Sequence, residues 1–151
     1  MIKKIFLNLF LFLFIANCGF TPLYSNKKTN DIDIEIISFE GDREINLNLL
    51  SKIKTNNNPS GKLYKIAIVT KYEKTTLTNN LAGEPEEYQL LSTAEFTIVR
   101  NNFQKKLNIS EKFVMKNFTD DFEEKNYETN IKNNMTNLIY NKLLLQIDKL
   151  K

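Results

Sequence analysis

The chain has no histidine and no tryptophan, one cysteine, three prolines and four glycines. Without histidine, and with a single thiol, neither Ser/His/Asp nor Cys/His nucleophilic catalysis can be assembled. The same shortage removes the usual donor sets for a transition metal. The glycines stand at 19, 41, 61 and 83, too far apart for a glycine-rich phosphate loop. A strong charge of one sign is also missing. The formal balance is +3. It falls to about +1 when Lys3 and Lys4 are set aside with the leader described below, which argues against a general nucleic-acid binder. Carboxylate pairs do occur, at Asp120-Asp121 and Glu123-Glu124. Their adjacency reads as a solvated helix start rather than as two-carboxylate hydrolysis. The expectation is a protein that is not an enzyme, with no catalytic residue, no cofactor, no metal site and no nucleic acid.

One long apolar run is present, Ile5 to Ala16, broken only by Asn8 and preceded by Lys3 and Lys4. As a helix it would rise about 18 Å, whereas the bilayer core is about 30 Å thick. It is short for a span and suits the core of an export signal. An uncleaved anchor and an interior segment are the competing readings. Ile15-Ala16-Asn17-Cys18 resembles a lipobox, although Asn17 stands where a small residue is usual. Cys18 is then the site of acylation, and Gly19 resembles the sorting signal for the outer membrane. More than one acyl chain makes a durable anchor. The expected organisation is a signal peptide over residues 1–17, the lipidated cysteine and tether over 18–30, and one α+β domain over 31–151.

Within that domain, Ile32, Ile34 and Ile36 alternate with Asp31, Asp33 and Glu35, which predicts a half-buried strand. Ile37 and Phe39 switch parity, implying a bulge or burial on both faces. Asp42 is placed to cap a helix over Arg43–Lys54 whose apolar side carries Ile45, Leu49, Leu50 and Ile53. Tyr64, Ile66, Ile68 and Tyr72 share one face of a strand over Leu63–Thr78. Residues 88–100 and 104–118 predict an antiparallel hairpin turning at Asn101-Asn102. A final helix opens at Thr119-Asp120-Asp121, with Tyr127, Ile131, Met135, Leu138 and Leu145 as its stripe, widened by Ile139 and Leu143. The order β-α-β-β-β-α predicts a four-stranded, mostly antiparallel sheet with both helices on one face. The other face, with Thr93, Glu95, Thr97, Asn108, Ser110 and Lys112, is left to solvent or a partner.

The layout resembles the lipopolysaccharide-assembly lipoprotein family LptE. Cys18-Gly19-Phe20-Thr21-Pro22-Leu23-Tyr24 is similar to that family's post-lipobox stretch. Ile37-Ser38-Phe39-Glu40-Gly41-Asp42-Arg43 resembles its first strand, turn and Arg-led helix. Ala94-Glu95-Phe96-Thr97-Ile98 resembles one of its sheet strands. The resemblance implies a domain anchored on the periplasmic side of the outer membrane. It also implies a large LptD-like β-barrel partner and contact with lipopolysaccharide. An accessory lipid-binding lipoprotein of another envelope transporter is the alternative. No family motif marks a ligand residue here. Arg100, Lys105 and Lys106, with Phe103 between them, are the candidates for lipopolysaccharide phosphate, the alternative being ordinary solvated turn charges. Lys71 and Lys74 are a second candidate pair.

Overall fold

The computed structural model describes residues 31–150. The leader, Cys18 and the tether lie outside them. The described elements are β1 (Ile32–Gly41), α1 (Arg43–Asn56), β2 (Lys62–Asn79), β3 (Pro85–Arg100), β4 (Phe103–Lys116) and α2 (Asp121–Asp148). They form one four-stranded sheet in the order β1-β2-β3-β4. β1 and β2 are parallel, joined through α1, and the other two pairs are antiparallel. This is the expected α+β architecture.

Strand periodicity sends Tyr64, Ile66 and Ile68 of β2 and Ala94, Phe96 and Ile98 of β3 to one face, where all are buried. Ile45, Leu49 and Ile53 of α1 close over them, together with Ile139, Leu143 and Ile147 of α2. A smaller cluster of Leu90, Met115, Ile131 and Met135 extends the core under the first half of α2.

Helix starts follow local chemistry. Asp42 Oδ1 accepts the Ile45 N–H at 2.9 Å, and Asp120 Oδ1 accepts from Phe122 and Glu123 at 2.8 and 2.9 Å. Each satisfies amides that the first turn leaves unpaired. Between β1 and α1 the chain turns at Gly41, whose φ is +97°. A Cβ there would run into the backbone of Thr70. Only glycine suits both the conformation and the space.

Three sequence expectations change. The parity switch in β1 is a bulge: Ile36 pairs with Ile66 and Ser38 with Ala67, leaving Ile37 as the extra residue. It is not two-sided burial, since Ile37 and Phe39 are 57% and 51% exposed. β3 is longer than predicted, since it begins at Pro85 rather than Tyr88. The stripe on α2 also moves. Tyr127, Leu138 and Leu145 are exposed, while Ile131, Met135, Ile139, Leu143 and Ile147 are buried. Steps of four residues advance about 40° beyond a full turn each. The buried line therefore winds around the helix, as a long helix requires when it crosses a twisted sheet.

Candidate partner-facing surface

The sheet face opposite the helices is built by cross-strand rows. Val69, Glu95 and Asn108 stand side by side, as do Lys71, Thr93 and Ser110, and Glu73, Leu91 and Lys112. The predicted Thr93, Glu95, Thr97, Asn108, Ser110 and Lys112 all lie on it. It is not wholly polar: Leu63, Val69 and Val114 are exposed among them. Its ion pairs, Lys65 with Glu35 at 3.5 Å, Lys106 with Glu95 at 3.2 Å and Lys71 with Glu73, are at the surface. Such pairs are worth at most about 1 kcal/mol and exchange readily for a partner's groups.

The three candidate cations do not converge. Lys106 pairs in register with Thr97 and Lys105 with Ile98, so they point to opposite faces of β4. Arg100 is on the helix side. Its guanidinium lies 5.1 Å from the Tyr64 ring centroid, and Nη1 donates to the Tyr64 hydroxyl at 3.1 Å. Arg100 and Phe103 do come together. With Tyr64, Asn101, Asn102 and Leu150 they line a recess of about 470 Å³, and neither lysine is part of that lining. Asn101 turns the hairpin with φ +51°, a conformation asparagine tolerates. The recess can hold one anionic group against Arg100, with apolar surface beside it.

Lys71 and Lys74 also separate. Lys71 is exposed on the open face beside Glu73. Lys74 is on the helix side, bonded to Glu124 and to Glu128 Oε2, the latter at 2.9 Å, with its ammonium 4.4 Å from the Tyr88 ring centroid. Burial pulls the Lys74 ammonium down, but the two carboxylates outweigh it and hold it above its ordinary range. Lys74 in turn holds the Glu124 carboxyl below the usual carboxylate range, against burial.

Sequence reasoning missed the continuation of this network. Lys132 sits 4.0 Å from the Tyr72 ring centroid and pairs with Asp42 at 3.4 Å and Glu44 at 3.2 Å. The Tyr72 hydroxyl donates to Glu128 at 2.7 Å. Burial, reinforced by Glu128, pushes its ionisation far up. No local signal marks Lys132, since its carboxylate partners lie 88 and 90 residues away. Both lysines spend their charge inside the fold, which makes this cluster a clamp between α1, β2 and α2 rather than a ligand site.

No protein-family model and no curated protein matches the chain in sequence. Solved structures do match in shape. The rare lipoprotein B of Shewanella oneidensis aligns with a TM-score of 0.58 at 12% identity, over 77% of this chain and 98% of that one. An uncharacterized lipoprotein B from Nitrosomonas europaea aligns with a TM-score of 0.57 at 16% identity, over 81% and 87% respectively. At such identities the likeness is one of fold, and the chain has the fold of these lipoproteins.

Proposed function

We propose that the protein is an outer-membrane lipoprotein, anchored through acylated Cys18 on the periplasmic side. In this reading it helps assemble and operate a lipopolysaccharide translocon by binding the translocon's large β-barrel subunit. The observation that carries the proposal is the fold shared with rare lipoprotein B across 98% of that chain. The leader and the Cys18–Tyr24 stretch support it from the sequence side.

Physical shape supports it too. Barrel interiors are polar, and the open sheet face is rich in hydroxyl, amide and charged groups. β2 has 18 residues. At about 3.3 Å per residue it is roughly 55 Å long, more than the ~30 Å apolar core of a bilayer. A domain tethered near the start of β1 can therefore stand in a barrel and carry the β2–β3 turn to its far side. Arg100, in the recess with Phe103 and Tyr64, is the group best placed to meet a lipopolysaccharide phosphate. Lys105 and Lys106 contribute through the local field only. The role is non-catalytic.

Detergent extraction of the native protein tests this. A very large β-barrel protein is expected in about equal amount, with a diacylated and N-acylated Cys18 at the mature terminus by mass spectrometry. Recovery alone, or with an inner-membrane ATPase complex, would instead favour the accessory lipid-transport reading. Charge reversal at Arg100, Lys105 and Lys106 is expected to weaken lipopolysaccharide binding with the fold intact. Unchanged binding would remove the phosphate role.

A further inference from the structure

β1 is an edge strand, so one row of its peptide groups faces away from β2. α1 leans over that edge and leaves a groove of about 560 Å³. Ile34, Ile36, Ile37 and Phe39 line it from the strand, and Leu50 and Ile53 from the helix. Lys54 is the one charged residue in the lining.

The first part of the edge is already engaged: the Asn58 N–H donates to the Ile32 carbonyl at 3.2 Å, and a side-chain amide follows at Ile34. The Ile34 N–H donates to Asn57 Oδ1 at 2.6 Å, and Asn57 Nδ2 donates to the Ile34 carbonyl at 3.4 Å. This two-way exchange is what a neighbouring strand makes. Asn57 Nδ2 also reaches Asp33 Oδ1 at 2.6 Å, which holds the carboxamide in place. Ile36 is the next residue in the same phase, and Asn57 bonds only Ile34 on that phase. The bulge then follows and leaves Ile37 and Phe39 more than half exposed beside the groove.

Charge selects what can lie there. Strand alternation puts Ile34, Ile36 and Phe39 on the groove side, and Asp33, Glu35 and Glu40 on the open-face side. β1 carries no basic residue. A second copy pairing through β1 would set one acidic row against another, and like charges directly opposite are destabilising. The bulge works against a flat, unpatterned strand in the same way. Neither feature opposes a basic strand.

We propose that this edge accepts an extended, alternately apolar and basic segment of a partner protein as a fifth strand. Its apolar side chains enter the groove between β1 and α1. Its Lys or Arg side chains stand on the open-face side, opposite Glu35 and Glu40. Main-chain bonds supply affinity and the two rows of side chains supply register, as in other strand-addition sites. The inference does not rest on the translocon reading.

The probe is a seven-residue peptide alternating Lys with Val, Phe and Ile. It is added to the detergent-solubilised full chain, and binding is read by peptide anisotropy and amide hydrogen exchange. The peptide is expected to slow exchange at the Ile36 and Phe39 amides. Two controls are expected to bind at least tenfold more weakly: the same residues with the lysines in one block, and an alternating peptide with Glu for Lys. The double variant Glu35→Lys/Glu40→Lys changes only exposed side chains and is expected to reverse the preference between the Lys and Glu peptides. Equal binding of the block peptide, or protection confined to another element, would overturn the proposal. So would protection of the Ile36 and Phe39 amides without peptide. If independent of concentration it means the chain covers its own edge, and if concentration-dependent it means a second copy does.

Discussion

Replacing Lys132 by methionine isolates the charge in the helix-side clamp. Methionine keeps an unbranched stem of similar length, so packing beside Tyr72 is retained. The lysine side chain is only 13% exposed, against 21% for Asp42 and 40% for Glu44. Its cation–π contact at 4.0 Å is worth about 1 kcal/mol in a partly desolvated site. Its pairs with Asp42 and Glu44 are long and their carboxylates partly solvated, so about 0.5 kcal/mol each is a fair discount. The loss is then about 2 kcal/mol, or a fall in Tm of roughly 8 °C for a domain of this size. Urea unfolding followed by far-UV circular dichroism measures it. Lys106→Met is the control, because its pair with Glu95 is at the surface with side chains 69% and 45% exposed, and it should move stability by less than about 0.5 kcal/mol. If Lys132→Met matched that control, the clamp would hold nothing together and the reasoning would fail.

Two further outcomes follow from the fold. Gly41→Ala forces a side chain into the Thr70 backbone at positive φ, and is expected to cost about 3 kcal/mol, visible as a shifted urea midpoint at unchanged slope. A loss under 1 kcal/mol would show that the β1–α1 turn can relax. The Glu124 carboxyl has a folded pKa below its unfolded value, mainly through Lys74. Its contribution is fully present above the unfolded value of about 4.3 and is lost as pH falls through the lower, folded one. Glu124→Gln should therefore flatten the stability profile between about pH 5 and pH 3, and a slope equal to the unmodified protein's would refute the pairing. Lys74 has the opposite sign: its raised folded pKa makes its contribution full at neutral pH and lost only in strong alkali.

How much of this was legible in the sequence depended on distance along the chain. Asp42 and Asp120 cap helices because the amides they satisfy are two or three residues away. The alternation of Tyr64, Ile66 and Ile68, and of Ala94, Phe96 and Ile98, identified the buried face for the same reason: a strand repeats every two residues. Arg100, Lys105 and Lys106 looked like one cluster because they are close in sequence. That same period of two sends Lys105 and Lys106 to opposite faces and leaves Arg100 stacked on Tyr64. The apolar residues of α2 admitted several stripes, and only the sheet beneath the helix chose the winding one through Ile139, Leu143 and Ile147.

By itself, then, the sequence determined the absence of histidine, the order of elements and the inward faces of β2 and β3. These rest on composition and short-range periodicity. The tertiary structure alone decided that β1 lies parallel to β2 at an open edge. It also decided that Lys132 is held by carboxylates some ninety residues away, and that Asn57 covers only part of that edge. Each of these depends on which distant segments meet, and that is set by closing one core rather than by any local preference.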